Sequence, residues 1–251
     1  MTDTAAASTQ DIAEVIAELE LYRDRLIEES TETAKKAFWQ WVFSSTTAVY
    51  HVIAPTRGKC VPIDFLAGVK PDAWLSDRLA QQHKHAALHQ YCLAHLIRDA
   101  HYAIDAGDTI FAPLMKAFLQ YLCSIGGRRP DLCDVELAKA ARDNARRLDR
   151  LLELKPTQTD GRKVRDMFEV TARDKLMVFL ARRDVDPTNN GAERELRPSV
   201  IFRKVTNGFR SLWGAKAHAD LRSIVATGRI AGRGPLAAIR AVLTPPSDAA
   251  A

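Results

Sequence analysis

The sequence predicts an α/β fold: a small sheet interrupted by a large helical insertion, preceded by an amphipathic helix. Three observations carry this. Aromatic and β-branched runs of strand length crowd between residues 38 and 95. From about Leu96 to Asp184 apolar residues recur at three and four positions, as on a helix face. Ahead of both, Ile12, Val15, Ile16, Leu19, Tyr22 and Leu26 share helical spacing with acids between them.

The elements follow in order. Residues 11–37 read as one acidic amphipathic helix, started by Asp11 or Thr9 and packing on the body or on a partner. "FWQWVFSSTTAVYHVIAPTRG" alternates Trp39, Trp41 and Phe43 against Gln40 and Val42, predicting two adjacent strands joined at Ser44–Thr47 and ending at Pro55. "CVPIDFLAGVKPD" predicts a short helix. "AWLSD" reads as a buried strand that delivers Asp77 to its C-terminal edge, and "HQYCLAH" (His89–His95) as another short strand. The helical block follows, with breaks at "GGRRPD" and "KPTQTDGR"; after Gly191 the pattern is helical again, interrupted at Pro198 and at Arg233–Pro235. The layout expected is therefore an acidic helical segment (1–37), a first part of the core (38–95), the helical insertion (96–184), a basic helical part that completes the core (185–243), and a disordered tail (244–251).

Composition bounds the function. The 251 residues are enough for one large domain or two small ones, and 47% hydrophobic with 27% charged residues is a globular balance. No run of about 18 apolar residues exists, which excludes a membrane-spanning helix. Net charge is +5, with acids concentrated in the first thirty residues and bases after Glu193, an asymmetry suited to a nucleic-acid surface in the C-terminal third. Cys60, Cys92, Cys123 and Cys133 form no CxxC pair and read as reduced thiols of a cytoplasmic protein. Cys92 and His95 have the spacing of half a zinc site, but no second pair accompanies them, and a buried thiol beside a polar histidine is the plainer reading.

Two acids stand out by context. Asp77 follows an apolar strand, and Glu193 opens a helix after the turn-forming "DPTNNG". Hard divalent cations need oxygen ligands, and two-metal phosphoryl transfer needs carboxylates converging from separate elements. The plain alternatives are a helix cap for Asp77 and an i, i+4 ion pair with Arg197 for Glu193.

The segments "LSDR" (75–78), "HQYCLAHLIRDAHYAIDAGD" (89–108) and "TNNGAERELRPSVIFRKVTNGFRSLWGAKAHADLRSIVATGRIAGRGP" (188–235) resemble the transposases of the insertion sequence 66 family, and "WQWVFSS" and "IAPTRGK" match in type and order. The resemblance runs from about Phe38 to Leu243. It implies a ribonuclease H-like fold with a mixed sheet and a helical insertion ahead of the last acid, and DNA cleavage and joining by an Asp-Asp-Glu metal triad loaded with Mg²⁺ or Mn²⁺. Asp77 then matches the second Asp and Glu193 the Glu. Arg194, Arg197, Arg203, Lys204 and Arg210 would neutralise DNA phosphates. Asn189 and Asn190 would contact the DNA backbone or orient Glu193, with capping of the following helix the plain alternative. Phe202, Phe209 and Trp213 would stack on bases or pack in the core, and His89, His95 and Arg98 match the family segment without an assigned role. The implied partners are the element's ends and target DNA, in a homo-oligomer or a mixed assembly with an intact transposase, in a bacterial cytoplasm near the nucleoid.

One part of the pattern departs. The family's first Asp belongs on a strand just upstream of "FWQWVF", whereas this chain has "LIEESTETAKKA", with Asp24, Glu28, Glu29 and Glu32 as the acids at hand. No Gly, Asn or Pro precedes Pro55, which disfavours the tight hairpin turn that such a strand would need. The expectation is a truncated or altered transposase that lacks the family's upstream DNA-binding and zinc-binding portions, keeps two of three metal ligands and transfers strands poorly.

Overall fold

The computed structural model describes residues 38–244. The amphipathic helix expected over 11–37, and the tail beyond Thr244, lie outside the described residues. The elements run β1 (Trp39–Ser44), β2 (Val49–Ala54), α1 (Cys60–Leu66), β3 (Ala73–Ser76), β4 (Leu88–Tyr91), α2 (Leu93–Asp105), α3 (Phe111–Arg128), α4 (Asp134–Leu152), α5 (Thr159–Met167), α6 (Val178–Ala181), α7 (Asn190–Thr206), α8 (Leu212–Ile230) and α9 (Pro235–Leu243). The fold is mixed α/β, with helix dominant. Among the described residues the strands form two separate pairs, antiparallel β1–β2 and parallel β3–β4, rather than one mixed sheet. No described helix is long and apolar enough to cross a membrane.

The chain divides into two compact units. Among the described residues, one is residues 57–193 and the other joins residues 38–56 with residues 194–244. This grouping differs from a division at 95 and 184. The hairpin is bound to the C-terminal helices, and the β3–β4 pair shares its core with the helical block.

In the unit of residues 57–193, α3 supplies the heart of the core. Phe111, Met115, Phe118, Leu119, Leu122 and Ile125 follow helical spacing and are all buried. Leu93, Leu96, Ala100 and Ala103 give α2 its matching face, with Phe168, Leu176 and Phe179 closing the cluster from the far side. Asp108, wholly buried, starts α3 by accepting the amides of Ile110 at 3.0 Å and Phe111 at 3.1 Å. Buried Gln90 on β4 ties the strand to the chain around the start of α6. Its side chain donates to the Leu176 carbonyl at 3.1 Å and accepts from the Phe179 amide at 3.2 Å.

Several boundaries depart from the expected ones. The strand in "HQYCLAH" stops at Tyr91, because Cys92 already caps α2 and His95 lies in its first turn. Of β3 only Ser76 is fully buried, the rest being half-covered. Gly126 and Gly127 stay inside α3, and the break falls at Arg129–Asp131, where Pro130 cannot donate into a continuing helix. Pro198 does not interrupt α7: it sits on the exposed side, where solvent can satisfy the carbonyl that its missing N–H leaves. The interruption at Arg233 is present, between α8 and α9.

In the other unit, β1 pairs β2 from Trp39↔Ala54 to Ser44↔Val49, around a turn in which Ser45 bonds Ala48. Trp41 and Phe43 share the buried face with their rings stacked, while Trp39 at the end of the pattern is exposed. The outer edge of β2 is covered by hydroxyls of α8. Thr227 accepts from the Val49 amide and donates to the Val49 carbonyl, each at 3.0 Å, and Ser223 accepts from the His51 amide at 2.9 Å. One helix turn separates the two hydroxyls, and it matches two residues of strand, so an edge that would otherwise invite another chain is closed.

Candidate metal and phosphoryl-transfer site

The unit of residues 57–193 brings together residues that are far apart in sequence. Asp77 leaves the end of β3, where its Oδ1 accepts the Leu79 amide at 3.1 Å, a local turn contact two residues on rather than the helix cap of the plain alternative. Cys92 stands at the cap of α2, and His95 follows three residues later on the same face. Glu193 sits in the first turn of α7. His95 Nε2 is 3.6 Å from Glu193 Oε1, so the glutamate faces an imidazole rather than an arginine of its own helix. One ligand atom from each of Cys92, His95 and Glu193 falls within 4.8 Å of the others.

Backbone contacts hold the two helix starts in place. The Leu93 amide donates to the Pro187 carbonyl at 3.0 Å, and the Asn189 amide donates to Cys92 Sγ at 3.3 Å. The Asn189 carbonyl receives the Glu193 amide at 3.1 Å and so opens α7. At the helix start it is the Asn189 backbone that bonds; its side-chain oxygen is buried without a hydrogen-bond partner among the described residues. Asn190 is the first, exposed residue of α7.

Electrostatics tie both acids to the same ring. The His95 pKa is raised, first by the Cys92 sulfur, with burial opposing; the charges of Cys92, Glu193 and Asp77 add to the rise. Burial pushes the Cys92 thiol up, but the His95 ring, the Asn189 and His95 amides and the His95 charge outweigh it, leaving its pKa below the ordinary value. No aligned hydrogen bond joins ring and sulfur, since His95 Nδ1 has no partner of bonding geometry among the described residues. The coupling is one of close approach and charge.

Three residues that the sequence reading did not single out shape this place. Asp99, one helix turn beyond His95, is a further acid that feels the imidazole's charge. Burial raises its pKa, and Arg78 at 2.6 Å opposes that rise, so this carboxylate is already engaged. Ser76 Oγ lies 2.9 Å from His89 Nε2, and burial, then the charges of His83 and Lys175, hold the His89 pKa at about 4. Arg129 clamps the approach to Glu193: it donates to the carbonyls of Phe179 at 3.0 Å, Arg182 at 3.4 Å and Val185, and reaches Asp186 at 3.2 Å. Only its distance in sequence hid it.

The remaining expected residues lie in the other unit. Arg194, Arg197, Arg203, Lys204 and Arg210 are all exposed, and none pairs with an acid among the described residues. The aromatic residues divide. Phe202 stacks on Phe209 and on His218, and Phe209 meets the His218 ring at a tilt, as packing residues do. Trp213 stays 42% exposed, over a cavity of about 710 Å³ that it lines with Phe209, Arg210 and His218.

A family model described as Transposase IS66 family matches residues 25–217, and one described as a domain of unknown function matches residues 10–39. No curated protein and no solved structure matches the chain. The transposase match starts upstream of Phe38, so residues 25–37, expected to fall outside the resemblance, lie inside it with Glu28, Glu29 and Glu32. It also spans Asp77, and Cys92, His95 and Glu193, which the fold draws together. With most of its length inside that match, the chain belongs to the transposase IS66 family.

Proposed function

We propose that this chain is the catalytic-domain portion of a bacterial insertion-sequence transposase, a ribonuclease H-like enzyme that cuts and joins DNA by metal-dependent phosphoryl transfer at Asp77 and Glu193. The observation that carries the reading is that Glu193, at a helix start, stands 3.6 Å from His95, while Asp77, at a strand end, adds its charge to the rise of the same ring's pKa. Strands of both senses, with an acid at the end of one parallel strand, are parts that the implied fold uses, although here they form two separate pairs rather than one sheet.

The residues fit a hard divalent cation in part. Asp77 commits one oxygen to Leu79, and the Glu193 side chain is 41% exposed, so each offers oxygen to Mg²⁺ or Mn²⁺. Such an ion supplies activation of water or a 3′ hydroxyl and neutralises charge on the phosphoryl group. The protein's own part is to hold the two carboxylates and to bind phosphates. Exposed Arg194, Arg197, Arg203, Lys204 and Arg210 are free to do the latter, with Asn189 and Asn190 next to them in sequence.

Strand transfer is impaired in this reading, because no Asp stands upstream of Phe38 after Asp24, and Glu28, Glu29 and Glu32 are the acids left to complete the set. The test is nicking of DNA bearing the element's ends, with Mg²⁺ or Mn²⁺. Weak activity that Asp77→Asn and Glu193→Gln remove is expected. Robust activity removed by the same substitutions would refute the impairment, and activity indifferent to them would refute the site. No activity at all, with DNA binding that weakens as salt rises and as Arg203 and Lys204 are replaced, would identify an inactive DNA-binding remnant able to modulate an intact transposase.

A further inference from the structure

We propose that Cys92, His95 and Glu193 form a binding site for a zinc-class divalent cation, a borderline-soft ion held by sulfur, nitrogen and oxygen. The geometry is close to what such an ion needs. Tetrahedral zinc bonds of about 2.0–2.3 Å place ligand atoms roughly 3.3–3.8 Å apart. The His95 nitrogen and Glu193 oxygen already stand at 3.6 Å, and all three ligand atoms lie within 4.8 Å. Small side-chain rotations close the remainder.

The donor set decides which ion. A thiolate and an imidazole favour Zn²⁺ or Co²⁺ over Mg²⁺, which prefers six hard oxygens. The site is also prepared. Cys92 and His95 sit on one face of the first turn of α2, while the Pro187 carbonyl and Asn189 amide join that turn to the start of α7. The Asn189 N–H points at the sulfur, the kind of outer contact that orients a metal-bound thiolate. His95 and Glu193 keep 27% and 41% of their side chains exposed, which leaves an entry path and room for water as a fourth ligand.

Binding is measured on the full chain carrying Cys60→Ser and Cys133→Ser, which removes the two exposed thiols. Anaerobic titration with Co²⁺ should give one tetrahedral ion per chain with sulfur-to-cobalt charge-transfer absorption, displaced by Zn²⁺ and not by Mg²⁺. Cys92→Ser should abolish that absorption. His95→Gln and Glu193→Gln, at partly exposed positions that tolerate substitution, should each weaken binding by at least ~10-fold. An absent band, a band that survives Cys92→Ser, or affinity unchanged in both other variants would overturn the proposal. The site shares Glu193 with the proposed Mg²⁺ or Mn²⁺ ligands, so the two ions would compete for that carboxylate; the cobalt readout needs no DNA cleavage, and Cys92→Ser, which leaves Asp77 and Glu193 in place, separates the failure of this site from the failure of the transposition reading.

Discussion

His95 Nε2 lies 3.6 Å from Glu193 Oε1, although the whole helical block separates the two residues in sequence. The contact is partly exposed, with 27% and 41% of the two side chains open to solvent, so its contribution to stability is small. Glu193→Gln should therefore shift unfolding by less than about 1 kcal/mol while abolishing metal-dependent nicking. A large loss of stability in a urea titration, with nicking retained, would return Glu193 to a structural role.

Arg129 is expected to matter to the same place from a distance. Its guanidinium serves three carbonyls of the segment that leads to α7, and only 11% of the side chain is exposed. Arg129→Met keeps the stem and removes the donors, leaving those carbonyls short of partners. A loss of about 2–4 kcal/mol in denaturant unfolding is expected. Faster amide exchange should follow around Arg182–Val185. Unchanged exchange there would show that the clamp is dispensable.

Two glycines separate packing from propensity. A Cβ at Gly161 would meet Asp108 Oδ2 at 1.6 Å, and Asp108 is the buried cap of α3. Gly161→Ala should cost about 1–3 kcal/mol by pushing that cap aside. Gly127, exposed near the end of α3, has nothing within 4 Å of its Cβ, so Gly127→Ala should gain about 0.5–1 kcal/mol from helix propensity. Thermal melts of the pair should move in opposite directions.

Acid should destabilise the hairpin unit through His51. The residue is 1% exposed, and burial, then the Arg222 charge, lowers its pKa from 6.5 to about 4; His218 adds to this and Glu195 opposes it. Its unfolded form takes up a proton below pH 6.5, where the folded form does not until about pH 4. Stability contributed by neutral His51 is thus intact above pH 6.5 and drains away as pH falls towards 4. The loss is at most about 3 kcal/mol. His51→Gln should flatten the stability–pH curve over that interval, with His89 leaving a residual slope. An unaltered curve would place the acid sensitivity elsewhere.

Local chemistry explains why part of this protein is legible in its sequence. The alternation of Trp39, Trp41 and Phe43 specifies a hairpin, the apolar run before Asp77 specifies a strand with an acid at its end, and the spacing along α3 specifies a core helix. Each depends on neighbours within a few residues, where backbone periodicity acts. The same reasoning misplaced the end of β4 and the effect of Pro198, because capping by Cys92 and solvation of an exposed helix face depend on surroundings that a local pattern does not encode.

By itself the sequence determined the element types, the basic segment after Glu193 and the resemblance that the family match bears out. Tertiary structure alone decided that Cys92 and His95 meet Glu193, that Arg129 braces the approach to it, and that Thr227 and Ser223 close the edge of β2. These contacts join residues brought together by burial of the α2–α3 core or by packing of α8 on the hairpin. Such closure is a property of the folded chain as a whole, and no short window of residues contains it.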